Sequence, residues 1–253
     1  MNPLRGLLAR WRPPARPAAA VQQSPTFDIE QDRDFMELHR RCDSYTATSI
    51  QKQYALYQAI RHVVGNAVPG DFVECGVFRG GSTMLAAWAL RQFGDTSRTL
   101  YLYDTFSGMA EPTQVDRRLG GEAGGPIQNW QRQNRGAHND WCYCSLEDVQ
   151  ANLALTGYPP ERMIFVAGKV EDTLPVTRPA AVAILRLDTN FYESTRQEMR
   201  HLYPLLAVNG ILLLDSYGNW VGTRQAVDEY LAGTGQPLFL SRIDKSGRIA
   251  VKT

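Results

Sequence analysis

Between Tyr45 and Val64 apolar residues recur at Ile50, Tyr54, Tyr57, Ile60 and Val64, the spacing of one helix face, and Gly65-Asn66 followed by Pro69-Gly70 supplies a stop. The pattern then changes. Asp71-Phe-Val-Glu-Cys75 is a short apolar run ending at Gly76, and Val77-Phe-Arg-Gly-Gly-Ser82 opens a helix of small residues that continues to Phe93. This reads as strand, glycine loop, helix. Similar short apolar runs are Thr99–Tyr103 before Asp104, Met163–Ala167 before Gly168, Ala181–Leu185 running to Asp188, and Gly210–Leu214 before Asp215. Helical patterns separate them at Leu146–Leu155, Ser194–Leu206 and Arg224–Leu231, with Ser194 and Gln197, or Thr195 and Glu198, at capping-box spacing. Nearly continuous apolar strands alternating with helices predict an α/β fold, a mostly parallel sheet covered on both faces.

Two segments break the alternation. Pro237–Ile243 and Arg248–Lys252 flank Asp244-Lys-Ser-Gly247 and predict a hairpin that closes the sheet with an antiparallel strand. Ser107–Cys144 is rich in Gly, Asn, Gln, Arg and Pro, contains Trp130 and Trp141, and has no clear period. A stretch of that length in a compact domain reads as a lid or binding loop (residues 107–144).

Composition narrows the classes of function. The chain has 253 residues and a formal charge of +1, from 27 basic and 26 acidic residues, so no broad basic field exists to hold a nucleic acid. No apolar run is long enough for a membrane span. Residues 1–25 carry Arg5, Arg10, Arg12 and Arg16 among Pro3, Pro13, Pro14 and Pro17 with no acidic residue, and read as a flexible tail ahead of one domain over 26–253. Cys42, Cys75, Cys142 and Cys144 form no C-x-x-C pair, which fits reduced thiols in a cytoplasmic protein.

Ligands of open α/β sheets sit beyond the carboxyl ends of the strands. The polar residues there are Glu74, Asp104, Glu171 and Asp172 just past Gly168, Asp188 and Asp215, an acidic collection. Gly76-x-x-x-Gly80-Gly81 permits close backbone approach, but Glu74 stands two residues before the first glycine and no Gly-Lys-Ser/Thr follows, which argues against phosphate cradling. An acidic rim with glycine access suits S-adenosylmethionine, which presents an ammonium, a sulfonium and a ribose diol. Asp104 is placed to accept from the ribose hydroxyls, although its distance of 28 residues from Gly76 exceeds the usual spacing of about 20.

The runs Val68–Ser82, Leu102-Tyr-Asp-Thr-Phe-Ser-Gly-Met109, Leu187-Asp-Thr-Asn-Phe-Tyr-Glu-Ser-Thr195 and Leu214-Asp-Ser-Tyr-Gly218 resemble the macrocin-type O-methyltransferases, class I S-adenosylmethionine enzymes that methylate sugar hydroxyls of antibiotics. The resemblance implies a single Rossmann-like domain with a seven-stranded sheet in the order 3-2-1-4-5-7-6. It places the cofactor against Glu74, Gly76, Gly80, Ser82, Asp104 and the Val170-Glu171-Asp172 turn, with Thr46 and Ser49 in a segment that closes over its methionine end. It assigns Trp141-Cys142 to the lid, and with it cap or substrate contact to Trp130 and Trp141.

The family's pattern of Asp-x-Asp after the fourth strand and Asp-Asp after the fifth, three carboxylates holding a divalent cation and one acting as base, reads here Asp188-Thr189-Asn190 and Asp215-Ser216. Two of the four carboxylates are replaced. Asp188, Asp215 and Ser216 are the candidate Mg²⁺ ligands at reduced affinity, or, with the metal lost, Asp188 and Asp215 are a metal-free base and its hydrogen-bonding partner; Asp188, with Asn190 at the base position and His138 in the lid, is the candidate catalytic set. The partner expected is a glycosylated small molecule, with no nucleic acid or membrane, and the leading helix and lid offer surface for a homo-oligomer. The replaced carboxylates keep a second reading open, a catalytically inactive binding or scaffold protein of methyltransferase fold.

Overall fold

The computed structural model describes residues 28–121, 125–235 and 237–253. The tail over residues 1–25 therefore lies outside the described residues, as do residues 122–124 of the lid. The elements in chain order are α1 (Asp28–Gln31), α2 (Arg33–Cys42), α3 (Ile50–Gly65), β1 (Asp71–Cys75), α4 (Gly81–Gln92), β2 (Leu100–Asp104), α5 (Gly125–Gln133), α6 (Leu146–Ala154), β3 (Met163–Ala167), α7 (Val170–Thr173), β4 (Val182–Leu187), α8 (Tyr192–His201), β5 (Leu206–Leu214), α9 (Val221–Thr234), β6 (Ser241–Arg242) and β7 (Arg248–Val251).

The seven strands form one sheet in the order β3-β2-β1-β4-β5-β7-β6, parallel except at β7, which runs antiparallel to β5 and β6. This is the order and the antiparallel closure that the resemblance implies. Side chains alternate across the strands, so each strand feeds two cores. Phe72, Leu100, Leu102, Ile184, Ile211 and Leu213 meet Leu56, Ile60, Met84, Leu85 and Leu153 from α3, α4 and α6. Val73, Cys75, Tyr103, Leu185, Leu187 and Leu212 meet Met199 from α8, Leu202 at its C-cap and Val227 from α9.

Boundaries shift where packing or capping outweighs periodicity. The leading helix starts at Ile50 because the Ser49 side chain accepts from the Lys52 amide and caps it. Neither capping box predicted for α8 forms. The helix begins two residues earlier, with Phe191 at its N-cap, and Ser194, Thr195 and Glu198 are buried within it. β5 extends back to Leu206, and of the predicted Pro237–Ile243 strand only Ser241–Arg242 pairs. The lid contains the helix α5 where no period was legible.

Candidate active site

The strand tips are brought into line by ladder bonds that run one residue past the strands. Gly168 N donates to Asp104 O at 3.0 Å, Gly76 N to Tyr103 O at 2.8 Å, Asp188 N to Cys75 O at 2.8 Å and Asp215 N to Leu187 O at 3.0 Å. Gly76, Asp188 and Asp215 thus stand side by side, and a Cβ at Gly76 (φ +86°) would lie 2.6 Å from Asp188 O. Only glycine fits that approach. Above the tips lies a cavity of about 450 Å³.

One wall holds a network of charges. Glu74 is paired with Arg186 in register across β1 and β4, and Arg186, Asp188 and Asp215 follow on the sheet face that carries α3. The Arg186 guanidinium donates to Glu74 Oε1 at 2.6 Å, Asp188 Oδ2 at 2.9 Å, Asp215 Oδ2 at 2.6 Å and Thr48 Oγ1 at 3.2 Å. Lys52 reaches down from α3 and its ammonium bonds Asp215 Oδ1. Burial and repulsion from Asp215 push Asp188 up to about 7 against the pull of Arg186 and Lys52. Burial also raises Glu74, with Arg186 and the Thr83 hydroxyl opposing it.

Thr46, Ser49, Gly76, Ser82, Asp104, Val170, Glu171, Asp188, Asn190, Asp215 and Ser216 all line the cavity. Four expected site residues do not. Glu74 is fully buried beneath the floor, its oxygens taken by Arg186 and Thr83. Gly80 is the left-handed N-cap of α4 and faces Val149 and Leu153. Asp172 turns to solvent while its neighbour Glu171 faces the cavity and accepts from Ser194 Oγ at 2.9 Å. His138 bonds Asp140 at 3.0 Å and stacks on Tyr143 at 4.3 Å, away from the cavity, so it is no candidate base.

The glycine loop differs from expectation in what it binds. Asp104 Oδ2 accepts from the Val77 and Phe78 amides at 2.7 and 2.9 Å, and Oδ1 from the Phe106 amide at 2.9 Å. Its first partner is the loop backbone, leaving part of its acceptor capacity toward the cavity. The rim is also less acidic than its strand-end residues suggested: Asp104, Glu171, Asp188, Asp215 and Asp244 are matched by Lys52, Arg118, Lys169, Arg186 and Lys245.

The lid supplies an aromatic wall. Trp141 lines the cavity with Trp220, their rings 6.2 Å apart, and Phe191 packs edge-on against both. Trp130 does not reach it and instead donates from Nε1 to Met109 O at 2.8 Å inside the lid. Buried Asp116 ties the lid to α8, accepting from Thr113 N at 2.8 Å and from Tyr192 N at 2.7 Å.

The residues present do not fit a divalent cation. Such an ion seeks several oxygen ligands, with carboxylates to balance its charge. Here the two carboxylates already bind a guanidinium and an ammonium, and the Ser216 hydroxyl bonds Asn190 Oδ1. Among the described residues no group of three or more His, Cys, Asp or Glu could hold a metal.

Sequence reading missed Arg186, Lys52, Trp220, Asp116 and Glu198. Arg186 carried a signal, a lone charge inside the apolar run Ala181–Leu187 that burial obliges to pair. Lys52 carried none, since it sits among polar residues on a helix.

Known proteins match the chain over most of their length. An 8-demethyl-8-(2,3-dimethoxy-α-L-rhamnosyl)-tetracenomycin-C 4′-O-methyltransferase of Streptomyces olivaceus is 32% identical over 231 residues, 89% of this chain and 83% of that protein. A demethyldecarbamoylnovobiocin O-methyltransferase of Streptomyces niveus is 32% identical over 81% of this chain and 74% of its own. The solved structure of the O-methyltransferase NovP matches with a TM-score of 0.72 at 32% identity, covering 83% of this chain and 82% of that one. No described helix is long and apolar enough to cross a membrane. Residues 14–250 match the family profile of the macrocin O-methyltransferases (TylF), and the chain belongs to that family.

Proposed function

We propose that the protein transfers the methyl group of S-adenosylmethionine to a hydroxyl on a sugar of a glycosylated natural product, with Asp188 as the base. The observation that carries the cofactor reading is the occupied glycine loop. The Val77 and Phe78 amides are spent on the Asp104 carboxylate, so a phosphate approaching the loop loses those two donors and meets a negative charge instead. A nucleoside without phosphates suits it, its ribose taking the open acceptor capacity of Asp104 and its cationic end lying toward Asp188.

The acceptor class rests on the relatives, whose names specify sugar and antibiotic O-methylation, and on the Trp141–Trp220 wall, which suits the apolar face of a sugar ring. Methyl transfer is an in-line displacement, so alignment of the acceptor oxygen against the methyl carbon does most of the work. The oxygen forms a bond to carbon, the carbon–sulfur pair returns to sulfur, and the hydroxyl proton passes to Asp188.

The test is methylation of a panel of glycosides and nucleotide sugars, with titration calorimetry of S-adenosylmethionine. Turnover on a glycoside is expected. Cofactor binding with no acceptor methylated, and turnover appearing only in Asn190→Asp, would favour the inactive scaffold.

A further inference from the structure

The geometry points to Lys52 as a catalytic cation: we propose that its ammonium stands where a divalent metal would stand, holds the acceptor oxygen, and makes the reaction metal-independent. This rests on the methyltransferase reading above. A cation in such a site directs the acceptor hydroxyl and steadies the charge that gathers on its oxygen as the proton leaves. Asp188 and Asp215 are the two carboxylates that could recruit one, and both are already engaged by fixed positive groups.

Arg186 cannot be the working cation, because its guanidinium is spent on three carboxylates and the Thr48 hydroxyl. Lys52 can. It lines the cavity, and among the described residues its ammonium makes one hydrogen bond, to Asp215 Oδ1, so two of its three N–H groups remain for an acceptor oxygen. Asp215 is thereby the anchor of Lys52.

The other two positions agree. Ser216 and Asn190 satisfy each other, hydroxyl to amide oxygen, and carboxylates there would have restored a metal's ligands. A metal entering between Asp188 and Asp215 would have to expel Lys52 and approach Arg186, two repulsions with only two carboxylates to offset them. In the transfer, the acceptor oxygen would accept from Lys52, lose its proton to Asp188 and form the carbon–oxygen bond, while sulfur keeps the pair of the broken carbon–sulfur bond.

Metal binding can be read without turnover, by the electron paramagnetic resonance of added Mn²⁺. The wild-type protein is expected to take up no Mn²⁺, Asn190→Asp/Ser216→Asp to take up little while Lys52 remains, and the same pair combined with Lys52→Met to bind it at least about tenfold more tightly than the pair alone. Uptake by the wild type that Asp188→Asn abolishes, or no gain on adding Lys52→Met, overturns the proposal. With an acceptor in hand, turnover should survive chelation, Lys52→Met should lower kcat by about 10²-fold with cofactor affinity within about threefold, and Lys52→Arg should recover part of the loss. Loss of turnover on chelation, or full activity in Lys52→Met, also overturns it. If no acceptor is methylated, the methyltransferase reading fails while the Mn²⁺ result still stands on its own.

Discussion

Single side chains here answer to burial before they answer to chemistry. Asp188 reaches the cavity, and burial beside Asp215 raises its proton affinity, so that with a pKa of about 7 the ionised carboxylate suits the proposed role of base near neutrality. Asp188→Asn keeps the shape and removes the proposed base, and a fall of about 10²–10⁴-fold in kcat with cofactor affinity little changed is expected from steady-state kinetics and calorimetry. Glu198 is a second buried acid. Thr189 Oγ1 donates to its Oε1 at 2.8 Å, and the Cys75 thiol lies beside the carboxyl. Burial pushes it up to about 8, the Thr189 bond opposing and Glu171 and Asp188 adding to the rise. Its folded form therefore holds a proton that the unfolded chain has lost, and stability declines as pH rises from the ordinary carboxyl range toward 8. Glu198→Gln should match the wild type in melting temperature near pH 5 and exceed it increasingly up to pH 9. A constant difference across that range would refute the assignment.

At the scale of elements, the lid is held by a few polar contacts. Asp116 carries the lid's tie to the first turn of α8, and the close approach of two lid segments is set by Gly108 (φ +89°), where a Cβ would fall 1.9 Å from Asn139 O. Asp116→Ala leaves the Thr113 and Tyr192 amides without their acceptor and should cost roughly 1.5–3 kcal/mol in urea unfolding. Faster hydrogen exchange over residues 107–121 and a raised KM for acceptor, with cofactor affinity held, would accompany it. Legibility followed the same division. Strands β1 to β5 were readable because apolar runs ending in Gly or Asp repeat with the sheet; Asp188 and Asp215 stood out because they close such runs, and Asn190 and Ser216 only through the family pattern. Glu74 was assigned to the ligand because sequence shows that it ends a strand and not which way it faces. Register decides that, pairing it with Arg186. Lys52 and Asp116 act through contacts 163 and 76 residues away, which no local pattern encodes.

At the scale of the whole molecule, the described residues form one seven-stranded sheet with the cavity at its carboxyl edge. A ligand that binds the folded state alone stabilises it, by about 2.7 kcal/mol at a hundred times its Kd. S-adenosylmethionine at that excess should raise the melting temperature by about 5–10 °C in a thermal-shift assay, on the scale expected for a chain of this size. NAD and ATP at equal concentration should leave it unmoved, since the Asp104 carboxylate fills the nest that a phosphate would need. Stabilisation by NAD in place of S-adenosylmethionine would refute the cofactor reading.

The quartet of Glu74, Arg186, Asp188 and Asp215 also proofreads the sheet. All four project to one side, and a slip of β4 by a single residue would drive the guanidinium into the apolar packing around Leu185 and Leu187. Residues that guard assembly cannot be retuned freely for chemistry. Laboratory evolution toward new glycosides should therefore find its gains at Trp141 and Trp220, on surfaces the sheet does not need in order to fold.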